Sequence, residues 1–154
     1  LAYCGSKNLT DKLEGFNIDI GKMLLSPTRS YAPLLKLIFD EIGRNKINGI
    51  IHCTGGGQTK ILHFIDNLHI LKNNLFEIPP IFKLIMNESN TDPKEMYKVF
   101  NMGHRMEIYL DSEYASKVID ISKSVGIDAK IIGEVIESDH KKLSIQSELG
   151  NFNY

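Results

Sequence analysis

Three short stretches hold most of the residues that could do chemistry. His52-Cys53-Thr54-Gly55-Gly56-Gly57 sets a base, a thiol, a hydroxyl and three glycines side by side. Glycines between a strand and a helix let a ligand approach the backbone, leave amide N–H groups free and aim a helix N-terminus outward, which suits a phosphate or a developing oxyanion. The same glycines also suit a tight turn that merely needs positive φ, and the residue types leave both readings open. The stretch is not a P-loop, because no Lys-Ser/Thr pair follows at the required offset. His52 is either a general acid or base or a hydrogen-bonded core histidine. Cys53 is no partner for it, since neighbouring strand residues point to opposite faces.

The second stretch, Phe100-Asn101-Met102-Gly103-His104-Arg105-Met106, joins a helix end to a strand start. Asn101 and Gly103 make either a plain C-cap or a turn that presents an amide, and a cation, to a ligand. The third is Ser26-Pro27-Thr28-Arg29, a loop because Pro27 fixes its own φ and keeps Ser26 out of the α region. Arg29 there is the best loop ligand for an anion, and equally a solvated charge or a bridge between helix ends. Glu107, Glu113 and Lys141-Lys142 read as solvated faces. His63 and His69 lack a helical i, i+4 relation and Cys4 lies far from Cys53, so no zinc pattern is present.

The elements that must position these residues follow from periodicity and punctuation. A helix is expected over 11–16, capped by Thr10 or Asn8, and another over 31–43, begun by Pro33 and striped by Leu35, Ile38, Phe39 and Ile42. A buried strand spans 47–54, and helical spacing of Ile61, Leu62 and Ile65 follows the glycines. A short strand at 69–72 and a loop over 73–80 lead to a helix with Ile81, Leu84, Ile85 and Glu88 in phase. Asp92-Pro93 opens the next helix as N-cap and first residue, with Met96, Val99 and Phe100 on one face. Alternation makes 105–110 a strand, Met106, Ile108 and Leu110 facing one way and Arg105, Glu107 and Tyr109 the other. Asp111 or Ser112 caps a helix striped by Tyr114, Val118, Ile121 and Val125 and ended by Gly126. A strand at 129–136 turns at 138–141 into an antiparallel partner at 143–147, and a polar tail closes the chain. The sum is one α+β domain, a mixed sheet with flanking helices, whose last strand-helix-strand-strand unit has a ferredoxin-like rhythm.

The 154 residues carry 18 Lys+Arg against 19 Asp+Glu, a net charge of −1, with 42% hydrophobic residues. A chain this long buries roughly 68–70% of its unfolded surface, so one core needs neither disulfide nor metal. The charge balance argues against nucleic acid as a partner, which needs a concentrated basic face. No apolar run approaches the roughly 20 residues that span a bilayer and no signal layout opens the chain, so no membrane partner and a cytoplasmic location are the expectation. The start at Leu1 rather than Met reads as a piece cut from something longer.

Taken in order, Leu24-Leu25-Ser26-Pro27-Thr28-Arg29, then Gly49-Ile50-Ile51-His52-Cys53-Thr54-Gly55-Gly56-Gly57, then Glu95-Met96-Tyr97-Lys98-Val99-Phe100-Asn101-Met102-Gly103 with Met106, resemble the C-terminal domain of the phosphoribosylformylglycinamidine cyclo-ligases, the aminoimidazole ribonucleotide synthetases of purine biosynthesis. The resemblance covers about residues 9–148. It departs after the glycines, where a Glu-Asn pair and then Pro-Arg are usual and Lys60, Ile61, His63 and Phe64 stand here, and at His104-Arg105, where small apolar residues are usual. The resemblance implies an ATP- and Mg2+-dependent ring closure of formylglycinamidine ribonucleotide through an iminophosphate. It also implies an N-terminal domain, absent from this chain, that binds most of the ATP and forms a homodimer, so that residues 1–154 alone are inactive. On that reading Thr54, Gly55, Gly56, Gly57, Asn101 and Gly103 line a substrate or phosphate site, Arg29 offsets phosphate charge or holds its loop, and His52 polarises or transfers a proton. Two alternatives stand beside it. One is another member of the same ATP-using superfamily, such as a selenophosphate synthetase, a thiamine-monophosphate kinase or a hydrogenase-maturation protein. The other is a binding domain without chemistry, motivated by Lys60 and Ile61.

Overall fold

The computed structural model describes residues 5–154, so Cys4 lies outside the described residues. Among the described residues six strands and five α-helices follow one another: α1 (Ile20–Leu24), α2 (Ala32–Ile42), β1 (Ile47–His52), β2 (Leu68–Lys72), α3 (Pro80–Ser89), α4 (Pro93–Val99), β3 (Met106–Leu110), α5 (Ala115–Ser124), β4 (Gly133–Glu137), β5 (Lys142–Ser147) and β6 (Gly150–Asn153). The expected helix over 11–16 is a series of turns instead. Gly15 takes φ 81° there, and Lys12 pairs with Asp19 in an isolated bridge. The helix begins later, at Ile20, where the Asp19 carboxylate accepts from the Lys22 N–H. Asp92 and Pro93 open α4 as read, Asp92 Oδ1 accepting from the Lys94 N–H.

The strands form two sheets. β1 and β3 are an antiparallel pair, with His52 opposite Met106 and Ile51 opposite Glu107. The other sheet has the order β4-β2-β5-β6, mixed because β2 and β5 run parallel while the remaining pairs are antiparallel. Two expectations are corrected here. β5 does not pair with β4, because β2 lies between them. Leu143 and Ile145 are fully buried and need an interior position, whereas Val135 and Ile136 remain 47% and 40% exposed on an edge. The polar tail is a strand: Ser147 pairs with Gly150 at a hairpin, and Tyr154 exchanges both backbone hydrogen bonds with Leu143. The final strand-helix-strand-strand order is present, with β3 in one sheet and β4 and β5 in the other.

The core has two parts. Leu34 and Ile38 of α2 meet Val118 and Ile121 of α5, joined by Ile47, Ile108 and Leu110 from the paired strands. The buried stripe of α2 is thus rotated from the expected one, with Leu34 and Leu37 in place of Leu35 and Phe39. Val125 also falls outside the α5 stripe, at 37% exposed. The larger cluster gathers Ile51 of β1 and Cys53 just after it, Ile70 of β2, Met96 and Tyr97 of α4, Met102, and Leu143 and Ile145 of β5. Among the described residues no helix is long and apolar enough to cross a membrane.

Where β4 starts, a Cβ on Gly133 would collide with the Leu71 carbonyl. Gly133→Ala is therefore expected to lower stability by at least about 2 kcal/mol, because neither backbone can yield. Gly15→Ala, in open space at φ +81°, is expected to cost about 1 kcal/mol through its backbone alone. Urea midpoints of the two variants check the difference.

Candidate functional site

β1 ends in the histidine and hands the chain to the glycine loop. His52 is exposed, on the face opposite buried Cys53, with its ring edge-on to Tyr31 at 6.2 Å between centroids. Burial, followed by the nearby Glu107 charge, pushes the Cys53 thiol up to about 12, which keeps it a protonated core residue rather than a nucleophile. Gly55, Gly56 and Gly57 all take left-handed φ, at 45°, 85° and 48°. The N–H groups of Gly55 and Gly56 meet no acceptor among the described residues. The segment that follows, Gly57–His63, is a 3₁₀ helix and not the expected α-helical turn, so an anion there would rely on loop amides more than on an aligned helix end.

Gly57 itself faces inward. A Cβ on it would come 2.5 Å from the Phe100 carbonyl oxygen and 2.7 Å from that of Tyr97, so its lack of a side chain sets how closely the loop meets the end of α4. Lys60 closes the loop from the other side, its Nζ donating to the His52 carbonyl at 3.0 Å and the Thr54 carbonyl at 3.1 Å.

The second loop lies against the first. Asn101 Oδ1 accepts from the Gly103 N–H at 2.9 Å, and the two left-handed residues that follow Asn101, Met102 at φ 49° and Gly103 at φ 100°, complete a tight turn. The Asn101 carbonyl accepts from Gln58 Nε2 at 2.6 Å, a direct link between the turn and the glycine loop. Gln58 is held in turn by Lys72, whose Nζ donates to the Gln58 carbonyl and to its Oε1, both at 2.9 Å. Lys72 also pairs with Glu107 at 2.5 Å, and Tyr109 donates its hydroxyl to the other Glu107 oxygen at 2.6 Å. Burial and then the Glu107 charge push the Tyr109 pKa upward, which keeps the hydroxyl a donor.

Glu107 is therefore no solvated charge: it is 5% exposed and Lys72 1% exposed, on the strand faces that carry Ile51 and Ile70. Sequence reasoning missed Gln58, Lys72 and Glu107. The signal lay in spacing, since Lys72 is two residues beyond Ile70 and so shares its buried face.

The remaining candidates are placed differently. Arg29 donates to the Gly126 carbonyl at 2.7 Å and so bridges its loop to the end of α5. His104 is buried beside Phe76, whose backbone N–H donates to its Nε2 at 3.0 Å, while Arg105 remains exposed. A cleft of about 1010 Å³ between the two sheets is bounded by Lys72, Glu107, Gly103 and His104, and does not reach Thr54–Gly57 or Asn101. Among the described residues no three His, Cys, Asp or Glu side chains converge as a metal ion would need.

Residues 5–146 match the family model described as AIR synthase related protein, C-terminal domain. The chain belongs to that family. This C-terminal domain is 36% identical over 146 residues to the phosphoribosylformylglycinamidine cyclo-ligase of Methanococcus vannielii, covering 92% of the chain and 41% of the relative. It is 36% identical to the enzyme of that name from Methanocaldococcus jannaschii (85% and 37% covered) and 35% identical to that from Acetivibrio thermocellus (91% and 41%). The chain thus spans about two fifths of the length of these relatives. Among solved structures, E. coli HypE, a hydrogenase maturation protein, matches with TM-score 0.56 at 20% identity over 80% of this chain and 38% of that one, which shows a shared fold.

His104 gives the AIR synthase related domain an acid sensitivity. Burial lowers its pKa from 6.5 to about 4, opposed by Glu107 and reinforced by Lys72 and Lys130. The unfolded chain binds the proton more tightly, so stability from this residue is full above pH 6.5 and is lost as pH falls toward 4, by up to about 3 kcal/mol. Urea unfolding from pH 7 to pH 4 should show that decline, and His104→Gln, which keeps an acceptor for the Phe76 N–H, should flatten it.

Proposed function

We propose that this chain is the C-terminal half of an ATP-dependent cyclo-ligase that closes the imidazole ring of formylglycinamidine ribonucleotide in purine biosynthesis. The observation that carries the reading is the Gln58 bridge between the glycine loop and the Asn101 turn: two motifs more than 40 residues apart, both matched by the family, meet as one surface. The relatives' names supply the reaction class. Lys60 supports the reading too. The departure that motivated a chemically silent domain ties down the loop carbonyls rather than obstructing the loop.

On this reading the free amides of Gly55 and Gly56, the exposed Thr54 hydroxyl and the Asn101 amide hold the phosphate or the reacting amide oxygen of the substrate, donors aimed where negative charge develops. His52, exposed beside them at the end of β1, polarises or transfers a proton. Arg29 keeps its loop in place through Gly126. The chain spans about two fifths of its relatives' length, and on this reading Mg2+ and most of the ATP are held by an N-terminal half, through which the complete enzyme would also dimerise, acting in the cytoplasm.

The test is ring closure and ADP release by the full-length protein that contains this chain. His52→Ala should lower kcat by on the order of 10²- to 10⁴-fold while shifting Tm by no more than about 2 °C, as befits an exposed site. A parallel loss of Tm and kcat would make His52 structural, and no ADP release by a folded wild-type protein would end the cyclo-ligase reading. Residues 1–154 alone should show no ATPase activity and no micromolar heat of ATP binding in calorimetry.

A further inference from the structure

We propose that Lys72 and Glu107 are positioning residues that act through Gln58 to fix the separation of the glycine loop and the Asn101 turn. This rests on the reading of those loops as the substrate surface.

All three donors of Lys72 are engaged: two on the oxygens of Gln58 and one on Glu107. Holding both the main-chain and the side-chain oxygen of one residue leaves its amide nitrogen a single direction, and that direction ends on the Asn101 carbonyl at 2.6 Å. Glu107 is fixed from behind by Tyr109, so the series Tyr109, Glu107, Lys72, Gln58, Asn101 crosses from β3 to β2, to the 3₁₀ segment and to the turn before β3. No buried side-chain polar atom among the described residues lacks a partner.

Stability does not account for this arrangement. A buried ion pair carries a desolvation penalty that well-packed apolar residues of similar volume avoid, and such replacements are often neutral or stabilising. What an apolar pair cannot do is orient an amide. The ion pair therefore serves where direction matters, holding Gln58, one residue after the glycine whose Cβ would meet the Phe100 and Tyr97 carbonyls.

The experiment compares Lys72→Met/Glu107→Leu, Gln58→Leu and the triple variant in the full-length protein. The paired replacement leaves the Tyr109 hydroxyl and the Gln58 oxygens without their partners, so it should lower Tm by on the order of 10 °C, and it should lower kcat/KM for the ribonucleotide by on the order of 10²-fold, the loss typical of a misplaced reacting group, with KM for ATP unchanged. Gln58→Leu should give the same loss, and the triple variant no further loss, because all three act through one arm. Gln58→Leu keeps the ion pair whole and so carries the test if the paired replacement does not fold. Hydrogen exchange provides a readout independent of turnover: in Gln58→Leu, peptides containing 54–58 and 100–104 should exchange faster, with β5 and β6 unchanged. Wild-type kcat/KM in Gln58→Leu, strictly additive losses, or unchanged exchange at both loops would overturn the inference. An inactive wild-type protein would defeat the cyclo-ligase reading instead, and the exchange result would still decide whether the arm sets the loops.

Discussion

An ammonium group shut away from water must find acceptors for all three of its protons, and Lys72 finds them on two other parts of the chain. That requirement ties β2 to β3 through Glu107 and to the glycine loop through Gln58, joining the two sheets near the end of the β1–β3 pair where both candidate loops attach. The apolar cluster around Tyr97, Met96 and Met102 supplies non-directional attraction. The hydrogen-bonded lysine supplies the register. Cys53 and His104 take their character from the same neighbourhood, the first a protonated thiol beside a carboxylate and the second an imidazole kept neutral by burial.

Local signals made much of the element list readable. Pro33 and Gly43 bracket α2, Asp92-Pro93 starts α4, and Gly126 follows α5, because caps and breakers act over a few residues. Partnership between strands was not readable in the same way. Nothing in Leu143 to Ser147 announces that its neighbour is β2 rather than the strand just before it, and the turn at 138–141 suggested the nearer partner. The missed strand β6 failed for a related reason: its alternation of Asn151 and Asn153 with Phe152 and Tyr154 is too short to stand out, and its pairing with β5 gives it structure.

The site divides along the same line. Glycines, a histidine and an asparagine turn declare themselves in sequence because their effect is on their own backbone. Lys72 and Glu107 do not, since a charged residue on a strand is ordinarily solvated, and recognising them as buried requires knowing which faces of β2 and β3 turn toward each other. Gly57 lies between these cases. Its type was legible as permissive, while its use, close approach to the carbonyls of Tyr97 and Phe100, belongs to the packing.

The parallel pairing of β2 with β5 brings together residues such as His69 and Ser144, 75 positions apart. Both the Asn101 turn and Glu107 lie inside that span. During synthesis the glycine loop emerges long before β5, and the sheet that backs it cannot close until Leu143 to Ser147 have been made. Non-local strand pairing of this kind is slow. A nascent chain stopped short of β5 would therefore hold every residue from Gln58 to Tyr109 that links the two loops, yet lack the strand that lies beside Lys72 in the finished sheet.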